Sequence, residues 1–204
     1  SATVKTNAQG IAAATSWTLG DVVADNPNTL RATIPSSALP AVTLTANAVP
    51  GAAARMVKRS GDGQSASVLT AVAIAPSVLV TDVNDNPVGA GTSVTFAVAS
   101  GGGSITGPAT VTTNAQGVAT VGGWVLGPSN GANTLTATSG TLTGSPVTFS
   151  ATATQVASLL TINAGNNQTA VAGSSVAVAP SVLVHDAANH PMAAVDVTFA
   201  VTGG

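Results

Sequence analysis

The chain has 204 residues, enough for one or two domains. Only 6% of these residues are charged and 2% aromatic, whereas 45% are hydrophobic, which excludes a disordered chain. No run approaches the about 18 unbroken apolar residues of a membrane span. The net charge of −2 and the scarcity of clustered cations and aromatics argue against a nucleic-acid partner, and the absence of cysteine excludes disulfides and thiolate metal sites.

Short β-branched runs bounded by turn residues predict an all-β fold. The last two predicted strands alternate apolar and hydroxyl residues with period two, which indicates one buried and one solvated face. No helical stripe interrupts the pattern, so the elements favour an antiparallel sandwich. In chain order the predicted strands are 77–82, 93–100, 117–127, 133–139 and 146–153.

Two sets of segments repeat along the chain. "TNAQG" occurs at 6–10 and again at 113–117, each time shortly before a tryptophan. "VAIAPSVLVTD" at 72–82 matches "VAVAPSVLVHD" at 176–186. The repeat unit therefore has about 100 residues, the size of one immunoglobulin-like sandwich.

The repeats predict three regions: one complete repeat unit and, on either side of it, one half of a further unit. Residues 1–52 match the C-terminal half of a unit, 53–156 form a complete unit, and 157–204 match the N-terminal half of a further unit. One interpretation, which we favour, is a slice of a longer covalent array. In the other, neighbouring chains complete each other's half-units, and assembly involves residues near the Ser1 and Gly204 termini.

Four motifs resemble the bacterial immunoglobulin-like domains of the invasin and intimin type. They are "APSVLVTDVNDNPVGAGTSVTFAVASGGGS" (75–104), "TNAQGVATVGGWVLG" (113–127), "GANTLTATSG" (131–140) and "SPVTFSATA" (145–153). The resemblance implies tandem β-sandwiches, export, and an extracellular or cell-surface location, with most such domains serving as spacers.

One turn departs from the pattern of that family. Its usual form, D-x-x-G-N-P, is replaced by "DVNDNP" and "DAANHP", with Asp85 and Asn189 where glycine is common. Both residue types tolerate the left-handed backbone conformation, so we expect the turn to be retained.

The few aromatic side chains are the predicted core. Trp124 is the best candidate for a central residue between two sheets, since its indole is the largest apolar group in the complete unit. The other predicted core residues are Trp17, Phe96, Phe149 and Phe199.

Asp82, Asn84 and Asp85 form a candidate calcium site, because a hard cation prefers side-chain oxygens. An Asx-rich turn that closes a hairpin explains the same residues. The corresponding loop at 186–191 has lost two of the oxygens, which favours the turn.

His185 and His190 flank Asp186 and could share a zinc ion or act as an acid–base pair. They occupy the positions of Thr81 and Asn86 in the complete unit, so surface substitution is the simpler interpretation. No nucleophile motif or phosphate loop accompanies them. We therefore expect no enzymatic activity, no catalytic residues and no cofactor.

Arg55, Lys58 and Arg59 form a cationic group that could contact an anionic glycan or lipid head group. Cations of this kind also protect an edge strand from pairing with another sheet, and this second interpretation is favoured.

These observations predict a structural repeat segment of an extracellular or cell-surface bacterial fibre or stalk, whose partner is a further copy of itself. The alternative is an adhesin module that recognises a glycan or a host-surface ligand. Adhesive faces are usually rich in exposed aromatics and arginine, and both are scarce in the complete unit. A hydrolase would lose its activity on substitution of His185 or His190.

Overall fold

The computed structural model describes residues 2–24, 26–35 and 37–203. These residues are all-β and include no helix, so within them no helix is long and apolar enough to cross a membrane. The strands are β1 (Asn28–Ala32), β2 (Val42–Ala46), β3 (Arg55–Ser60), β4 (Gln64–Ser67), β5 (Ser77–Thr81), β6 (Ser93–Ser100), β7 (Ser104–Thr106), β8 (Thr110–Thr112), β9 (Val118–Thr120), β10 (Gly123–Val125), β11 (Gly131–Thr138), β12 (Val147–Thr154), β13 (Leu159–Ala164) and β14 (Ser181–His185).

Residues 53–156, here called the central segment, hold two larger sheets and a ribbon. One sheet has the order β4-β12-β11-β6-β8, the other β3-β5-β9, and β10 pairs with β7. Side chains from both sheets meet in one hydrophobic core, as in a β-sandwich. Among the described residues, every buried hydrophobic side chain lies between Met56 and Ala153.

The predicted core aromatics differ in burial. Trp124, Phe96 and Phe149 are 0–1% exposed, and the two phenylalanine rings lie 6.4 Å apart, centroid to centroid. Trp17 is half-buried, and Phe199 is 62% exposed. Three of the five aromatics therefore form the core of the central segment, and the other two lie outside it.

One predicted strand is wrong. Residues 117–127 form two short strands, because β9 pairs with β5 whereas β10 pairs with β7 in the separate ribbon. The chain changes sheets at Gly122, where a Cβ would stand 2.4 Å from the carbonyl oxygen of Thr106. Only glycine permits this close approach of two backbones. The other four predicted strands correspond to β5, β6, β11 and β12, with ends that shift by one or two residues.

The segments that flank the core repeat its local strand pairing. The N-terminal segment (residues 2–52) contains the hairpin β1-β2, and the C-terminal segment (157–203) contains the hairpin β13-β14. β1 and β2 pair as β11 and β12 do, and β13 and β14 pair as β3 and β5 do, including the bulge. Each flanking segment therefore folds locally like one part of the central segment.

A glutamine repeats its contacts in the same way. The Gln64 side chain donates to the carbonyls of Gly61 and Ile74 and accepts the N–H of Ile74. Gln168 makes the corresponding three hydrogen bonds with Gly165 and Val178. Both glutamines hold the loop that leads into the next strand.

The predicted left-handed residues in the two Asx-rich turns are confirmed. Asp85 and Asn189 each have a φ of 63°. The turn survives the loss of glycine because these short polar residues tolerate that conformation.

Trp124→Ala should lower the free energy of unfolding of the central segment by about 3–5 kcal/mol, since it empties the largest buried site in the core. Urea denaturation followed by circular dichroism would measure the loss. Trp17→Ala is the matched control and should cost well under half as much, because Trp17 lies outside this core. Equal losses would contradict the assignment of the core.

Candidate assembly site

The boundary between the N-terminal and central segments is built around the buried carboxylate of Asp82. Its Oδ1 accepts the backbone N–H groups of Asn84 and Asn86, each at 2.9 Å. Its Oδ2 accepts the N–H of Gly51 at 2.8 Å and the side-chain amide of Asn86 at 3.0 Å. One carboxylate therefore closes the turn 82–86 and also binds the chain that enters the central segment.

Asn86 extends this boundary to a loop far away in the sequence. Its side-chain N–H donates to the carbonyl of Asp21 at 2.7 Å, and its Oδ1 accepts the N–H of Val23 at 2.8 Å. Asn86 itself is buried. The same amide thus contacts both Asp82 and the backbone of the N-terminal segment. We call the contacts of Asp82 and Asn86 with residues 21–23 and Gly51 the first joint.

Hydrogen bonds control the ionisation of Asp82. The side-chain amide of Asn86 and then the N–H of Gly51 stabilise the carboxylate and lower its pKa to about 2, although burial opposes the shift. The ionised form is therefore the form that holds the first joint.

A related arrangement stands at the boundary between the central and C-terminal segments. Asp186 is buried and accepts the side-chain amide of Gln155 at 2.8 Å, where Asp82 accepts a backbone N–H. Oδ1 of Asp186 accepts the N–H groups of Ala188 and His190. Burial raises the pKa of Asp186, but the hydrogen bonds from His190 and Gln155 outweigh it and lower the pKa on balance. We call the Asp186–Gln155 contact the second joint.

The three candidate calcium ligands are used in different ways. Both oxygens of Asp82 already accept protein N–H groups, and Asp85 forms an exposed ion pair with Arg55. Asn84 is exposed and contributes its backbone N–H. Among the described residues no group of three or more histidine, aspartate or glutamate side chains is placed to hold a metal ion. The Asx-turn interpretation accounts for the contacts that Asp82 makes.

The two histidines do not share a site. His185 lies in β14, and its Nδ1 is buried without a hydrogen-bond partner among the described residues. His190 approaches Asp186, with 3.4 Å between Nδ1 and Oδ2. The structure therefore ties His190, in the position of Asn86, to the second joint.

The cationic group lies on β3, an edge strand of its sheet, as the charge pattern predicted. Arg55 pairs with Asp85, and Lys58 pairs with Asp62. Arg59 is exposed. Two of the three cations are thus engaged in ion pairs with the central segment itself.

The C-terminal segment carries an open groove of about 390 Å³, lined by both apolar and polar residues. Leu160, Val184 and Val197 contribute to its walls. In the central segment the positions that correspond to these residues are Met56, Val80 and Val94, which are all 0–1% exposed. Residues that line the groove therefore correspond in sequence to core residues of the central segment. We call the groove, with Phe199, the C-terminal open face.

The N-terminal segment carries a similar exposed surface. Leu44 is 47% exposed, whereas Phe149 in the corresponding position of β12 is fully buried. Val42 and Ile11 are also exposed, at 64% and 60%. We call this surface, with Trp17 and Leu30, the N-terminal open face. Ser1 and Gly204, the expected assembly termini, lie outside the described residues.

The sequence did not identify the joints. The recurrence of aspartate at positions 82 and 186 is a signal, because an oxygen acceptor is kept where the four residues that follow it all change. The donors give no such signal, since Gly51, Asp21 and Val23 contribute only backbone atoms.

Acid should weaken the first joint. Because the folded-state pKa of Asp82 is about 2, below the ordinary value of 3.8, its contribution is complete above about pH 4 and is lost as the pH falls towards 2. Asp82→Asn should lower the melting temperature at pH 7 and flatten its decline between pH 5 and 2. Asp85→Asn, an exposed position in the same loop, is the control. An unchanged acid profile in Asp82→Asn would contradict this role.

No protein family model matches the chain, and no curated protein matches it. Among solved structures, it is similar to the D00-D0 domain of intimin, with a TM-score of 0.38 and 19% identity over 56% of this chain and 56% of that one. It is also similar to domains 4–9 of the surface layer protein SbsC, with a TM-score of 0.37 and 18% identity over 76% of this chain and 23% of that one. The chain spans about half the length of the first of these structures and about a quarter of the second.

Proposed function

We propose that the chain is a structural repeat segment of an extracellular or cell-surface bacterial fibre or stalk, built from immunoglobulin-like units in tandem. The observation that carries the proposal is the first joint, in which buried polar side chains of one segment bind the backbone of the preceding one. A stalk needs such contacts, because units on free linkers would swing independently.

Several features of the chain support this role. The linker before the central segment, "AVPGAAA" at 48–54, is short, and Gly51 within it is bound to Asp82. The second boundary repeats a buried aspartate that binds the linker side chain Gln155. The local pairing of β11-β12 and of β3-β5 recurs in the flanking segments, as expected for a repeated unit. The proposal assigns the chain no catalytic step and no cofactor.

Removal of the Asn86 side chain should loosen the first joint. Asn86→Ala deletes two hydrogen bonds to the N-terminal segment, which should lower the equilibrium constant for docking of the two segments about 10- to 30-fold. The chain has no cysteine, so spin labels at Thr43→Cys and Thr148→Cys, both exposed strand positions outside the joint, would be the only ones attached. Pulsed electron paramagnetic resonance should give a narrow distance distribution in the parent chain and a broad one in Asn86→Ala.

Asn84→Ala is the matched control for this experiment, since the Asn84 side chain is exposed in the same turn and only its backbone N–H is used. Its distance distribution should remain narrow. A broad distribution in the parent chain would count against a rigid stalk.

The location can be tested on the source cells. Antibodies against the central segment should label intact cells along extended structures. Labelling that requires lysis would overturn the extracellular role, whatever the stiffness of the joint.

A further inference from the structure

We propose that the C-terminal open face binds residues 2–49 of a second copy of this chain, and that the two segments together build one complete sandwich. This inference rests on the proposed function and names its partner. It takes the second of the two interpretations of the repeats, in which neighbouring chains complete each other's half-units. It goes further because it specifies which residues pair and in which register. Residues 195–203 form no strand in this structure and would become one on docking.

The central segment is the template for the contact. There β6, from the first half of the segment, pairs with β11 from the second half, with Leu135 opposite Val98 and Ala137 opposite Phe96. β5 pairs with β9 across the same division. Neither half could bury these side chains alone, because each sheet needs the other to cover its apolar face.

Because the sequence repeats, each residue of the β6–β11 pairing has a counterpart in one of the two open faces. The position of Phe96 is taken by Phe199 and that of Ala137 by Ala32, so these two residues should lie opposite each other across the contact. By the same correspondence Leu30 should lie opposite Val201. Phe199 and Val201 are 62% and 94% exposed in this chain. Docking would remove both side chains from water, which is a strong driving force for association.

Charge supplies an independent argument for the same partner. In the central segment Ser93 of β6 lies opposite Thr112 of β8. The corresponding residues of the open faces are Asp196 and Lys5. Two neutral residues are thus replaced by opposite charges that would meet directly across the contact. Opposite charges in such cross-strand pairs are stabilising, whereas like charges are destabilising.

The N-terminal segment offers the matching surface and no obstacle at these positions. Ile11, Val42 and Leu44 are exposed where a complete sandwich buries or half-buries its counterparts. Besides Lys5, the N-terminal segment has one further cation, Arg31 in β1. Arg31 would lie opposite Ala200, and the corresponding pair of the central segment, Thr136 and Ala97, faces outwards. The charge of Arg31 would therefore remain in water.

Sedimentation of the full chain tests the docking. The parent chain should form head-to-tail oligomers whose mass grows with concentration. Phe199→Asp and Leu30→Asp should each weaken association about 100-fold or more, because each places a charge inside the new core. Val57→Asp is the matched control. Val57 is 52% exposed on a strand of the central segment, away from both open faces, so its substitution should leave association unchanged.

Mixing the two variants gives a sharper result. Phe199→Asp retains a functional N-terminal open face, and Leu30→Asp retains a functional C-terminal one. An equimolar mixture should therefore form a dimer of twice the 19.4 kDa chain mass and no longer species. Variants that also fail to pair in the mixture would overturn the proposal, provided that circular dichroism shows an intact central segment.

A charge exchange tests the register. Lys5→Glu alone and Asp196→Lys alone should each weaken association about three- to tenfold, and the double variant should restore it. Arg31→Glu, which has no charged residue opposite it, should have no effect. Failure of the double variant to recover would refute this register.

The outcomes separate this inference from the proposed function. If the chain stays at 19.4 kDa at every concentration and yet shows a narrow distance distribution across the first joint, the proposed docking between copies is wrong. The proposed role as a stalk segment is then unaffected. A chain that self-associates with a flexible joint supports the docking and counts against a rigid stalk.

Discussion

A sheet with one apolar face excludes water from that face only by packing against a second sheet, and in this chain the two parts of a sandwich come from two separate stretches of sequence. In the central segment both stretches are present, and Phe96 is 1% exposed. Phe199 occupies the corresponding position of the C-terminal segment and is 62% exposed. The neighbouring residues are nearly the same, but Phe96 lies in the paired strand β6, whereas Phe199 lies in no strand.

The contacts at the two joints depend on buried aspartates and, among the described residues, use no ion pair between lysine or arginine and a carboxylate. Only 6% of the residues are charged, so few side chains could form ion pairs between segments. The chain relies instead on a buried carboxylate that accepts several N–H groups at once. Hydrogen bonds to an ionised acceptor are stronger than those between neutral groups, so one aspartate at each boundary can hold both its own turn and the adjoining linker.

The two joints differ in what surrounds the aspartate. At the first, a backbone N–H and an asparagine amide occupy its oxygens. At the second, the Gln155 side chain supplies the linker contact and His190 stands where the asparagine was. The aspartate thus binds its linker through a longer donor at the second joint, since Gln155 uses a side chain with several rotatable bonds and Gly51 uses only its backbone.

Local features were predictable from the sequence, and one failure is instructive. The alternating pattern located β11 and β12, and the Asx-rich turns predicted left-handed residues at Asp85 and Asn189. The pattern through 117–127 looked like one strand, because both of its parts carry small and β-branched residues. Which sheet each part joins depends on β5 and β7, which are distant in the sequence.

By itself the sequence determined the all-β class, the local hairpins and the repetition of their pairing, because side-chain periodicity and turn residues act over short distances. Only the tertiary structure decided that Asn86 binds Asp21 and Val23, and that Asp82 binds Gly51. The reason is physical. These contacts use backbone atoms, which every residue possesses, and they join loops that lie far apart along the chain. Apart from the recurrence of aspartate at positions 82 and 186, no pattern of residue types marks them, and they form only once the strands have brought the loops together.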